Sequence, residues 1–413
     1  MQRGAIPGAR LSYVVGIGMG GLALAAIWSL YNAFMPLLLA EYVSSRSLRG
    51  FIMGLDNALA VLLIPVIGAW SDRVEGPWGK RLPFLLVGMP AAALLFSLLP
   101  LSNGALWTLL LVDVAFLLSM MLFRAPLAAL MPDHVPPAGR SRANGVLTFM
   151  GALGGAFALL ALGPSFDRHH WMPFAGAGLL MLAALFVIWR TTDRKPRYAL
   201  ANAAADEAPL ISSYAAGLRA LFSRENLGGG LVLVALFTFF LGFSALEAQF
   251  STFATEHLGA TPGTAGTLLG LTLAAFLAMS LPAGALAGRF GEVRVMVCGA
   301  VPLTIIAVLM GVIDRPSAIP YLLALAGIFW SLIVVPAYPL VVSLAGSERT
   351  GFLTGIYFLF GSGAAIIGPG MIGGLMDIFG NRALFIAIAC AVALGTTILV
   401  SAIPRMRRDR EGS

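Results

Sequence analysis

Gly54-Leu55-Asp56-Asn57, followed by Gly68-Ala69-Trp70-Ser71-Asp72-Arg73 and by Gly79-Lys80-Arg81-Leu82-Pro83-Phe84, sets a carboxylate inside an apolar run and closes that run with a charged, glycine-bearing turn. A charged side chain at the centre of a bilayer costs about 2.5 to 3.5 kcal/mol on insertion scales, so Asp56 there marks a function. The sequence offers no nucleophile–base pair and no metal set beside it. The handling of an ion or a solute fits, and an enzyme does not.

The surrounding composition supports a membrane setting. Of 413 residues, 59% are hydrophobic and 11% are charged, whereas soluble domains carry about 25% charged residues. Mean hydropathy is +0.90. Apolar runs of about 20 residues, the length that crosses a hydrocarbon core, recur twelve times, approximately at 12–38, 50–70, 83–100, 105–130, 144–163, 172–190, 228–250, 264–286, 294–313, 319–344, 351–373 and 384–403. The expected class is an all-α membrane protein. The first run lacks a small-residue cleavage site before a polar segment and reads as a spanning helix rather than a removable signal.

Basic residues mark the cytoplasmic side. With the N-terminus inside, 20 of the 26 Lys and Arg fall in cytoplasmic loops and tails, and Arg46, Arg49, Arg168, Arg315 and Arg382 fall opposite. Both termini are therefore expected in the cytoplasm, with a bacterial inner (plasma) membrane as the expected location. The formal charge of +7 is spread over these loops and reads as topology, not as nucleic-acid binding. Cys298 and Cys390 both lie in apolar runs and form neither a disulfide framework nor a metal cluster. His134, His169, His170 and His257 are expected in loops. No Gly-x4-Gly-Lys-Ser/Thr phosphate loop is present.

The polar stretch from Arg190 to Asn226 divides the chain six spans plus six: a bundle over 1–190, a cytoplasmic linker over 191–226 and a second bundle over 227–413. Part of the linker, Ser212 to Arg224, reads as an amphipathic surface helix. Internal echoes support the division. Gly68-x4-Arg73 recurs as Gly284-x4-Arg289 at an offset of 216, Pro126-Leu127 as Pro339-Leu340 at 213, and Arg142 as Arg349 at 207. Parallel six-helix repeats are the build of major facilitator transporters. Asp56 stands outside this repetition, because its counterpart is Thr272.

Asp56, Asp113 and Glu247 are the acidic residues within spans, and removal from water makes a carboxylate a candidate proton carrier. A structural hydrogen bond or ion pair is the competing reading for each. Arg124, within the fourth span, stays charged and needs a carboxylate from the protein or from a solute. Asp113 shares its helix face but lies about 16 Å away along the axis. Arg124 is thus either a solute contact or a gate residue. Trp28, Tyr31 and Asn32 share one helix face, and Asn57, Trp330 and Tyr357 extend the candidate binding set; rings stack on a sugar's CH surface while polar groups meet its hydroxyls. Packing aromatics are the bland alternative. Glycines cluster in the fifth and eleventh spans, where they permit close and sliding helix contacts or merely tight static packing.

Gly68-x3-Asp72-Arg73 and Gly79-Lys80-Arg81 resemble the major facilitator signature. The gap filled by Val74-Glu75-Gly76-Pro77-Trp78, with Pro83-Phe84 after it, is similar to that of the glycoside-pentoside-hexuronide and sucrose-proton symporter branch. Phe123-Arg124-Ala125-Pro126-Leu127-Ala128-Ala129-Leu130-Met131-Pro132-Asp133 and Arg140-Ser141-Arg142-Ala143-Asn144-Gly145 resemble that branch's junction of the fourth and fifth spans. The resemblance implies twelve helices in two six-helix pseudo-repeats. It implies a monomeric transporter in the bilayer, moving a sugar, glycoside or similar small polar solute by alternating access. It places the coupling cation, H+ or alternatively Na+, at Asp56, with no other cofactor and no metal. It sets Gly68, Asp72, Arg73, Gly79, Lys80 and Arg81 in a conformational motif. Arg124 departs from the acidic, sugar-contacting position of melibiose-type members. The rivals are a proton-coupled exporter of lipophilic compounds and a non-transporting membrane receptor.

Overall fold

A computed structural model describes residues 11–102, 104–199, 222, 227–313, 315–343 and 350–411. Every regular element among them is helical, and twelve stretches are long and apolar enough to span a membrane. Lipid supplies no hydrogen-bond partners, so runs that are apolar on all sides must satisfy their backbone internally, as helices do. In order these are α1 (Leu11–Ala40), α2 (Arg46–Met53), α3 (Leu55–Arg73), α4 (Leu82–Leu98), α5 (Leu106–His134), α6 (Pro137–Phe157) and α7 (Met172–Thr191). There follow α8 (Leu227–Glu256), α9 (Pro262–Phe290), α10 (Glu292–Val312), α11 (Ile319–Ser343), α12 (Thr350–Phe379) and α13 (Ala383–Glu411). The linker's amphipathic segment over Ser212–Arg224 and the echo at Arg349 lie outside the described residues, Phe222 apart.

Two spans depart from single continuous helices. The second bends at Gly54 (φ −73°, ψ −11°), whose N–H still reaches the Gly50 carbonyl, so that α2 and α3 form one span with Asp56 in the first turn after the bend. The fifth passes from α6 into a π-turn over Ala158–Leu162 and a 3-10 turn over Gly163–Asp167. Such changes of winding recur at functional positions.

The contacts sort the chain into two compact units that do not coincide with the sequence halves. One holds the described residues of Met1–Tyr42, Ala58–Ala204 and Ala260–Gly270; the other holds those of Val43–Asn57, Ala205–Gly259 and Leu271–Ser413. In the first unit α1 packs along α6 and α7, and α4 lies against α5 and α7. Its core is aromatic: Phe34 stacks on Phe166 at 4.4 Å, and Phe96 meets Phe116 and Phe174 at 5.2 and 4.8 Å. In the second unit α8 is the common neighbour of α12 and α13, α10 packs on α11 and α13, and α2 lies along α12. Phe250, Phe253 and Phe385 are fully buried there.

Gly154 of α6 meets α1 so closely that a Cβ would fall 2.1 Å from the Leu22 carbonyl oxygen. Backbone cannot yield as a side-chain tip can, so Gly154→Val is expected to destabilise the protein by about 1–3 kcal/mol through overpacking. Gly145→Ala, where a Cβ meets nothing within 4 Å, is expected to remain within about 0.5 kcal/mol. Denaturant titration of the two purified variants measures the difference.

Candidate functional site

In the first unit, α1 and α5 bring Trp28, Tyr31, Asp113 and Phe116 together. The Tyr31 hydroxyl donates to Asp113 Oδ1 at 3.0 Å, and both residues are fully buried. Trp28 sets its ring edge to Tyr31 at 5.5 Å, and Phe116 completes the aromatic wall at 5.6 Å from Tyr31. The Arg124 guanidinium lies over the Trp28 ring at 5.2 Å, a cation–π distance. Arg124 thus joins the α1 cluster. Trp28 Nε1 is buried and has no hydrogen-bond acceptor among the described residues. Asn32 lies one position past Tyr31 and is half-buried.

In the second unit, the Asn57 amide donates to Asp56 Oδ1 at 2.6 Å. Glu247 of α8, a second candidate carboxylate, belongs to the same unit. Both side chains are half-buried. Trp330 and Tyr357 also belong to this unit: Trp330 stacks on Phe243 at 4.5 Å, and Phe240 lies edge-on to Trp330 and Tyr357 at 6.2 and 5.8 Å. Thr272, the repeat counterpart of Asp56, is buried beneath Gly327 of α11. The candidate residues therefore form two groups, one in each unit.

The loop between α3 and α4 organises around Arg81. Its guanidinium pairs with Asp72 at 2.5 Å and with Asp133 at 3.1 Å, and it donates to the Ser71 hydroxyl, which in turn donates to the Gly68 carbonyl. Gly79 adopts φ +74°, and a Cβ there would collide with the Arg194 carbonyl; both facts call for glycine. Nothing in the structure explains Gly68. Lys80 is half-buried and Arg73 exposed. Together with Trp78, Asp193 and Arg194 the loop lines a cavity of about 370 Å³. His134 is not in a loop, as the sequence suggests, but is the last residue of α5 and is buried. The helix runs past the apolar stretch, and His134 accepts the Asp193 N–H at Nε2 while its Nδ1 lies 2.8 Å from the Leu130 carbonyl. An apolar groove of about 590 Å³ between α8, α12 and α13 contains none of the candidate residues.

The sequence matches the profile of the Major Facilitator Superfamily over residues 17–259 and 232–413. The chain belongs to that family. Solved facilitator structures agree in fold: the nucleoside transporter NupG superposes with a TM-score of 0.73 at 12% identity over 94% of this chain and 99% of its own. A bacterial homologue of the human lysosomal transporter Spinster superposes at 0.68 and 15% identity, over 97% and 96%.

Curated relatives include both a sugar transporter and drug resistance proteins. The human proton-associated sugar transporter A is 29% identical over 34% of this chain and 21% of its own length. The multidrug resistance protein MdtH of Proteus mirabilis is 29% identical over 37% and 38%. The chain thus matches well under half the length of each. The class E tetracycline resistance protein of Escherichia coli is 27% identical over 81% of this chain and 80% of its own.

This facilitator also carries polar residues that the sequence reading passes over. Asp377 receives the Ser45 hydroxyl and the backbone N–H groups of Arg46 and Ser47, and the Arg46 side chain reaches both Asp377 and Glu256. Asp167 receives the Thr261 hydroxyl and the Gly263 N–H. The signal was present: Ser45 and Thr261 stand at the same offset of 216 that links Gly68 to Gly284.

Proposed function

We propose that this facilitator is a secondary active transporter of a small polar solute, a sugar or glycoside, coupled to protons through Asp56, with Glu247 a second candidate carboxylate in the same unit. The reading keeps the glycoside-pentoside-hexuronide and sucrose-proton branch, a monomer, and termini in the cytoplasm of a bacterial inner membrane. The observation that carries it is the buried indole N–H of Trp28 beside the Tyr31–Asp113 hydrogen bond. A buried donor without an acceptor is costly, and a solute hydroxyl is a suitable acceptor for it. The sugar transporter among the relatives supports the same cargo class. A lipophilic compound would gain nothing from this polar set.

The exporter reading has support of its own in the multidrug resistance relative and in the tetracycline resistance relative, the latter covering most of both chains. A panel of sugars, glycosides, uronates and lipophilic drugs, scored by thermal stabilisation of the purified protein, separates the two. A hit among the sugars is expected. Trp28→Phe keeps the ring and deletes the N–H, and should weaken sugar binding by roughly 5- to 10-fold, the worth of about one net hydrogen bond. Stabilisation by tetracycline alone, indifferent to Trp28→Phe, would move the chain to the exporter reading.

A further inference from the structure

We infer that Asp167 and Asp377 are quasi-equivalent latches of the transport cycle, each holding the first turn of a helix from one sequence half against the end of a helix from the other. This rests on membership of the facilitator family and on no assumption about the solute.

The two arrangements match group by group. Ser45 is the N-cap of α2 and accepts the Leu48 N–H at 3.2 Å; Thr261 precedes α9 and accepts the Thr264 N–H at 3.2 Å. Ser45 donates its hydroxyl to Asp377 Oδ2 at 2.9 Å, and Thr261 donates to Asp167 Oδ2 at 2.6 Å. Two residues on, the Ser47 N–H reaches Asp377 at 3.1 Å and the Gly263 N–H reaches Asp167 at 2.8 Å. The capped residues are 216 apart in both cases, and the aspartates are 210 apart. Each carboxylate therefore satisfies donors that the first helical turn leaves open and lies where a helix favours negative charge.

The repeat is imperfect in an informative way. Position 46 is Arg, whose N–H donates to Asp377 at 2.9 Å and whose side chain also reaches Glu256; its counterpart at 262 is Pro, which has no N–H to give. The Asp377 latch is thus the stronger of the two. It clamps the 43–57 segment, which carries Asp56, onto α12 within one unit, and the Asp167 latch clamps the 260–270 segment within the other. Both aspartates are solvent-exposed, so water can replace their hydrogen bonds and the contacts can open and re-form in each cycle.

The test places spin labels at Leu48→Cys and Ile378→Cys, both exposed, in a Cys298→Ser, Cys390→Ser background and measures their separation by pulsed electron resonance. Asp377→Asn, isosteric but uncharged, is expected to add a longer-distance population several-fold above wild type. Asp167→Asn should do the same more weakly, and the double variant more than either; Asp377→Glu should restore the short distance in part. A purely structural role predicts a lower melting temperature with an unaltered distance distribution. Unaltered distances in both single variants that fold would overturn the inference. Failure to find a sugar ligand would leave this distance measurement unaffected, so the two readings fail separately.

Discussion

Asp56→Asn is expected to abolish uphill accumulation while sparing binding and downhill exchange. The argument is one of coupling. One elementary charge crossing 100 mV is worth about 2.3 kcal/mol, which sustains roughly a 50-fold solute gradient when one proton travels with each solute. Asparagine retains the size of Asp56 and one carbonyl oxygen but cannot carry the charge or the proton, so the variant's gradient should fall to about 1, the value for an uncoupled carrier. The structure adds Glu247 of α8, a second half-buried carboxylate in the unit that holds Asp56. As a second carboxylate within the spans, Glu247 is a candidate proton carrier too, so Glu247→Gln should also lower accumulation, less completely than Asp56→Asn. Uptake into liposomes, driven by an imposed pH gradient and compared with counterflow, reads both quantities. Full concentrative uptake by Asp56→Asn would remove the residue from the coupling site.

What could be read in advance follows from what lipid permits. Twelve apolar runs have one backbone solution in a bilayer, so their number and helical state were legible from composition alone. Helix ends and bends were less so. A helix that is apolar all round carries no phase, and the bend at Gly54 depends on α12 packed against it, which the run around Leu55 does not announce. Trp28 and Tyr31 could be placed on one face because three- and four-residue spacings are local. Their partner Asp113 comes from a separate helix and leaves no mark in spacing. The contacts of Asp167 and Asp377 fall between these cases. Their capped hydroxyls repeat at the 216 offset already used for Gly68 and Gly284, but their role becomes visible only once each aspartate is seen at a helix N-terminus. Arg81 was legible as a motif residue, and its bond to Asp133 was not, since the motif ends before α5 begins.

Arg124→Ala is expected to weaken solute binding by roughly 10- to 150-fold, the range of a charge-assisted hydrogen bond worth about 1.5–3 kcal/mol. The half-buried guanidinium lies 5.2 Å from the Trp28 ring centroid, so it shares the wall that holds the buried indole N–H and the Tyr31–Asp113 bond. A planar guanidinium fork presents its donors in fixed directions, which an ammonium cannot do. Arg124→Lys should therefore keep the charge yet recover only part of the affinity. The gate reading makes the opposite forecast, because a residue that only closes a passage alters turnover and leaves the dissociation constant unchanged. Calorimetric titration with the solute found in the panel, set beside exchange rates for the same two variants, distinguishes them. Loss of affinity in Arg124→Ala with partial recovery in Arg124→Lys assigns the guanidinium to the solute; unchanged affinity with slowed exchange assigns it to the gate. A guanidinium so assigned selects solutes that offer acceptors, such as uronates or hydroxyl-rich glycosides.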